Sequence, residues 1–165
     1  MSEKDPIKLF VTHAFQEHEE YARLFEYLES RDNFFYNNYS DPEFDLGPGG
    51  QEAIQEEIRR QIKPAEVVLF PVGVHAVKPQ LIDFELQVAQ AFKKPIIAIQ
   101  AFGGTASIPK QALEAADVVV GWDDRVIIDN IRQLARGIDK NQLDVIEFDL
   151  EGLDGLSKDD IVKDD

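Results

Sequence analysis

Apolar and polar positions follow two different rhythms along this chain. Short, almost continuous apolar runs are separated by stretches in which apolar residues recur every three or four positions. The runs Ile7–His13 (IKLFVTH), Phe34–Ser40 (FFYNNYS), Glu66–Val72 (EVVLFPV), Pro95–Phe102 (PIIAIQAF) and Asp117–Gly121 (DVVVG) read as strands. The third is apolar throughout, as in a strand buried on both faces, and Pro71 marks its end. Asp41-Pro42 breaks the second. Helical spacing predicts helices over His18–Ser30, Gln51–Ile62, Pro79–Lys93 and Asp124–Arg136, with a short helical patch over Lys110–Ala116. Pro79 suits the first position of its helix, where a missing N–H costs little. Asp123 or Asp124 suits the cap of the last. Five strands joined through helical stretches predict an α/β fold with a parallel sheet, because parallel strands need crossover connections.

Composition adds limits. The chain has 165 residues, enough for one domain with a sizeable core, and no cysteine. A disulfide framework, a thiolate metal site and a cysteine nucleophile are therefore excluded. Thirty-two acids against seventeen bases give a net charge of −15, which argues against duplex nucleic acid and anionic membranes as partners. Residues 139–165 carry ten acids and three lysines, a net −7, and residues 1–138 the remaining −8. The expected organisation is thus an α/β domain over 1–138 and an acidic C-terminal extension over 139–165. Its segment DVIEFDLEGLDGL alternates acids with apolar residues, which fits an added edge strand, a docking segment or a mobile tail. Beyond about Ser157 the composition is that of disorder. The opening MSEKDPIKLF has no secretory pattern, and no apolar run is long enough to span a membrane. The expected setting is cytoplasmic.

In open α/β sheets ligands bind at the carboxyl ends of the strands. The segments Thr12–His18, Asn37–Gly50, Gly73–Gln80 and Phe102–Ile108 arrive there and hold the polar and flexible residues that a site requires. Glu85 is the most informative residue. At about 100° per residue it falls within the apolar arc of its helix, among Ile82, Phe84, Val88, Ala89 and Phe92, with Asp83 and Gln90 opposite. Burial raises the pKa of such a carboxyl unless a cation or hydrogen-bond donors offset it. In a cleft it could hold sugar hydroxyls and stabilise positive charge on a ribose; the alternative is a structural glutamate paired with Arg or Lys.

The other motifs are weaker. His13 and His18 lie five apart with no HExxH pattern, and His75 stands alone, so no metal site is expected. His13, at the mouth of the first strand, is the histidine best located to touch a ligand. The GPGG at 47–50 could offer N–H groups to a phosphate, but a simple connecting loop is the favoured reading, as it is for Gly103-Gly104. No GxSxG elbow is present, and the first strand does not end in the aspartates of a phospho-receiver.

Taken in order, KLFVTHAF, FFYNNYSDP, EVVLFPVGV and LIDFELQVAQAFKKPIIAIQAFG resemble a TIR-like domain, of the bacterial branch that includes the Thoeris anti-phage TIR proteins. The last is the most specific, a helix bearing Glu followed by a Lys-Pro-Ile-Ile strand. The resemblance spans roughly residues 6–137. It implies a flavodoxin-like fold with helices on both faces of the sheet and cleavage of NAD, as substrate rather than cofactor, at the nicotinamide–ribose bond. It assigns catalysis to Glu85 and nucleotide binding to Thr12, His13 and Phe15. The gating loop falls on Asn38–Asp45, including Asn38, Tyr39 and Asp41, and Gly73 opens the third strand-end loop. The family's aromatic four residues before the glutamate is Leu81 here, and its acidic residue after the first strand is displaced to Glu17. The resemblance also implies a homo-oligomer on activation and a downstream effector reached through a small-molecule product. Two other readings share these features: a nucleoside 2-deoxyribosyltransferase-like enzyme and a non-catalytic TIR-like signalling module.

Overall fold

In the computed structural model, which describes residues 4–103 and 109–138, every apolar run named above contains a strand and every helical stretch a helix. The strands are β1 (Ile7–Val11), β2 (Tyr36–Asn38), β3 (Val67–Pro71), β4 (Ile96–Ile99) and β5 (Val118–Val120). The helices are α1 (Glu19–Glu29), α2 (Gly50–Ile62), α3 (Pro79–Ala91), α4 (Lys110–Glu114) and α5 (Asp124–Arg136).

The strands are shorter than their apolar runs, for identifiable reasons. Thr12 N–H still reaches Leu69 O at 3.0 Å, but His13 N–H turns from the ladder to the Glu85 carboxyl, so β1 stops before His13. β2 is an edge strand with β1 as its one neighbour, and isolated bonds from Ile7 N–H to Phe35 O and from Tyr39 N–H to Leu9 O flank it. The segment after β3, expected as loop, begins with a 3-10 turn over Val72–Ala76 that buries Val72, Val74 and His75. A single turn is too short to leave a periodic signal.

All pairings are parallel, in the order β2-β1-β3-β4-β5, which is the flavodoxin-like winding. Successive strand residues point to opposite faces. Phe10, Val68, Phe70, Ile96 and Ala98 pack with Ile58 and Ile62 of α2, Ile82, Leu86 and Ala89 of α3 and Ala112 of α4. Leu9, Val11, Val67, Leu69, Ile97 and Ile99 pack on the other face with Leu24 and Leu28 of α1 and Ile127, Ile128 and Ile131 of α5. Truncating a fully buried leucine such as Leu28 to Ala in a core of this kind costs about 2–5 kcal/mol.

Local signals set the helix ends. The His18 side chain accepts Glu20 N–H at the start of α1, and Asp123 accepts Arg125 and Val126 N–H at the start of α5. α5 ends on Gly137, whose φ of 71° is the left-handed conformation that glycine tolerates best. The winding reverses between β1 and β3, and this switch point opens a crevice at their carboxyl ends. The edge-strand and disorder expectations for 139–165, and the 104–108 part of the fourth strand-end loop, lie outside the described residues. No helix among the described residues is long and apolar enough to cross a membrane.

Candidate functional site

Glu85 lies on the second turn of α3, on the face turned to the sheet, and is 0% exposed. Its Oε1 accepts the backbone N–H of His13 at 3.0 Å, whereas Oε2 has no hydrogen-bond partner. Among the described residues no Lys or Arg pairs with it, so the ion pair that would make it an ordinary structural glutamate does not form there. Burial therefore pushes the carboxyl well above the usual range, and the His13 N–H opposes this only in part. A second orphan lies at the same strand end. Thr12 is 0% exposed and its Oγ1 is also unpartnered. Buried polar atoms without partners are uncommon, and each calls for an explanation such as a bound water, a ligand or a functional role.

His13 is at the mouth of β1, but its ring points inward and the residue is 1% exposed. Phe15 N–H donates to Nδ1 at 3.1 Å, which leaves the ring proton on Nε2, where it reaches Gln61 Oε1 at 2.8 Å. Burial lowers the His13 pKa and outweighs the Gln61 hydrogen bond and the charges of Asp41 and Glu57, which raise it. What His13 turns toward Glu85 is its main chain. Phe15, two residues on, has a φ of 55°, uncommon outside glycine, and its ring meets that of His13 edge-on at 4.6 Å.

The remaining predicted residues divide between two neighbourhoods. Asn38 Nδ2 donates to the Tyr21 hydroxyl at 3.2 Å, and Asn38 Oδ1 accepts Ser40 N–H and the Ser40 hydroxyl. Tyr39 is half-buried and tied to β1 through its N–H. Asp41 is exposed, but its N–H donates to Gln61 Oε1 at 2.9 Å and its carbonyl accepts Gln61 Nε2–H at 3.3 Å. Gly73 N–H donates to Glu20 Oε1 at 3.1 Å; a Cβ on Gly73 would lie 2.2 Å from Glu20 Oε2, so the position admits glycine alone without displacement. Glu20 also accepts Phe102 N–H, at 3.0 Å, and so ties the β3 and β4 strand-end loops together.

Among the described residues, two clefts are lined by these strand-end segments. The first, of about 570 Å³, is walled by Phe15, Leu46, Ile54, Leu81 and Phe84, with Gln51, Gln55 and Gln80; among the described residues its one charged lining residue is Lys78. Glu85 follows Phe84 in α3 but does not itself line this cleft. The second, about 720 Å³, takes in Asn38, Tyr21 and Ser40 but also Glu17, Glu19, Asp41 and Glu43. An anionic ligand is repelled by four carboxylates in the second and meets none in the first. Electrostatics thus favours the first cleft. Among the described residues no three His, Asp or Glu side chains converge as a metal site would need.

Gln61, Glu20 and Glu57 were not foreseen as part of this region. A signal for them existed. Each is a polar residue on the apolar arc of an amphipathic helix, Gln61 between Ile58 and Ile62 and Glu20 one turn before Leu24.

A family model described as "Thoeris protein ThsB, TIR-like domain" matches residues 10–105, which include Thr12, His13, Phe15, the β2–α2 loop, Gly73 and Glu85. No curated protein matched the chain. The family match covers 96 of 165 residues, from β1 through β4, and agrees with the flavodoxin-like winding of the sheet. The chain belongs to the Thoeris ThsB TIR-like domain family.

Proposed function

We propose that this domain cleaves NAD at the nicotinamide–ribose bond, with Glu85 as the catalytic carboxylate and the first cleft as the dinucleotide site. One observation carries the reading: Glu85, next in sequence to the cleft-lining Phe84, is wholly buried with no cation partner among the described residues and one oxygen unused. A carboxyl in that setting is poised to take a ligand's hydroxyl hydrogen bonds and a neighbouring positive charge. Family membership supports it, because the resemblance implies cleavage of NAD in the active members. The apolar walls suit the flat rings of the dinucleotide, and Lys78 with the N-terminus of α3 suits its diphosphate.

In the reaction, ribose hydroxyls and the cationic nicotinamide ribosyl group favour the ionised form of Glu85. The C1′–N bond breaks, and its electron pair leaves with neutral nicotinamide. The carboxylate stabilises the oxocarbenium-like ribosyl cation until an acceptor attacks C1′. Water gives ADP-ribose and a proton; a nitrogen of the substrate's own adenine gives a cyclic product. Either product could act as the signal to a downstream effector in antiviral defence. Glu85 is fully buried and does not line the cleft, so contact with substrate requires side chains around it to move.

The closed state of that carboxyl favours one other reading, a TIR-like module that assembles as a homo-oligomer without turnover. Incubation with NAD at low and high protein concentration, with mass spectrometry of the products, separates them. Nicotinamide with linear or cyclic ADP-ribose is the expected outcome. Intact NAD at every concentration, with no nucleotide bound, overturns the enzymatic reading.

A further inference from the structure

We propose that Gln61 is a positioning residue that couples the β2–α2 loop to Glu85 through His13. This deepens the reading above and rests on it for the role of Glu85, but not for the coupling. Gln61 is 2% exposed on the last turn of α2, and its amide uses all four of its hydrogen-bonding positions. Oε1 accepts from Asp41 N–H and from His13 Nε2–H, at 2.9 and 2.8 Å. Nε2 donates to Asp41 O at 3.3 Å and to Glu57 Oε2 at 2.8 Å. The Asp41 N–H can only donate and its carbonyl can only accept, so the amide has one workable orientation.

The network continues on both sides. Glu57 is held in turn by Arg60, whose Nε and Nη2 donate to its two oxygens, which fixes the outer end of the Gln61 clamp. On the inner side, His13 makes three contacts with three consequences. Its Nε2 reaches the clamp, its Nδ1 accepts Phe15 N–H and so holds Phe15 in its left-handed conformation, and its own N–H binds Glu85. Phe15 and Leu46, which belongs to the clamped loop, both wall the first cleft. A ligand that enters this cleft presses on both ends of the chain Asp41–Gln61–His13–Phe15. Displacement of the loop costs Gln61 two of its four bonds, and the segment that holds Glu85 is released with it. Coupling of this kind is established only by perturbing one end and reading the other.

Amide hydrogen exchange on the intact chain supplies that test. Gln61→Met keeps the side chain's length and removes its hydrogen bonds. The expected result is exchange at His13 and Phe15 about tenfold faster than in the wild type, relative to the ladder amides of β1 and β3. Ile62→Val, a change on the same turn with no polar contact, should alter all these amides in proportion. Gln61→Glu keeps the acceptor for His13 but loses both donors, and is expected to give an intermediate result; it decides the matter if Gln61→Met does not fold. Unchanged ratios between His13, Phe15 and the ladder amides overturn the coupling. With NAD as substrate, Gln61→Met should lower kcat about tenfold with KM within about threefold, as expected of lost positioning. A change in KM alone contradicts the positioning role. If turnover proves independent of Glu85, the functional reading falls while the exchange result still stands or falls by itself.

Discussion

The backbone N–H of His13 lies 3.0 Å from Glu85 Oε1 and is the one hydrogen-bond donor to that carboxyl among the described residues. A main-chain donor is set by the end of β1 and cannot be exchanged for water by a side-chain rotation. It orients the carboxyl without supplying the charge that would keep it ionised. Burial accordingly favours the protonated carboxyl, and a cationic ligand would favour its ionisation.

This proton links stability to pH. Because the folded pKa of Glu85 is raised, the folded state keeps its proton where the unfolded chain has lost it, above the ordinary value of 4.5. The unfolded state then binds fewer protons, and stability falls as pH rises through that window. Glu85→Gln removes the effect. Its Tm should exceed that of the wild type by a margin that widens by about 3 °C or more between pH 4 and pH 8. Thermal unfolding followed by circular dichroism checks this, and a margin independent of pH contradicts it.

His13 works in the opposite sense. Its folded pKa is lowered by burial, so the unfolded chain binds the extra proton as pH falls below 6.5. Its contribution is complete above that value and is lost as pH drops through the window beneath it. Protonation of Nδ1 would also leave Phe15 N–H without its acceptor. The stability margin of the wild type over His13→Gln should shrink from pH 7 to pH 5. Nitrogen NMR of the ring should find the proton on Nε2 at pH 7.5.

The Gly73–Glu20 contact predicts a non-additive pair. Gly73→Ala drives a methyl into the Glu20 carboxylate and should cost about 1–3 kcal/mol. Glu20→Ala leaves the Gly73 and Phe102 N–H groups without their acceptor and should cost about 2 kcal/mol. In the double variant the clash has no partner, so the combined loss should fall short of the sum by about 1 kcal/mol. Denaturant titrations of the four proteins measure the difference.

Lys78 predicts a binding effect. As the one charged residue among the described residues that line the first cleft, it should contribute to holding the dinucleotide and not to breaking its bond. Lys78→Ala should raise KM for NAD about three- to tenfold with kcat within about twofold. Steady-state kinetics at two salt concentrations checks this.

The elements were legible in the sequence because each strand is an unbroken apolar run and each long helix carries one apolar face. Glu85 was legible for the same reason, as the carboxylate on an otherwise apolar arc of its helix. The same reading applied to α1 and α2 would have singled out Glu20, Glu57 and Gln61. What it could not supply is the partner, since Gln61 meets a histidine 48 residues away and Glu85 meets a main-chain group 72 residues away. The inward turn of His13 depends on those partners too. Its place at a strand mouth suggested contact with ligand, whereas two acceptable bonds for its ring lie behind the strand. The turn over Val72–Ala76 was hidden by its brevity, and the ends of β1 by the diversion of a ladder donor to a side chain.

The most direct test of the central claim is nicotinamide release from NAD by the wild type and by Glu85→Gln, under conditions where both are folded and equally assembled. The account predicts release by the wild type and a loss of about a hundredfold or more in the variant. Undiminished release by Glu85→Gln would contradict it.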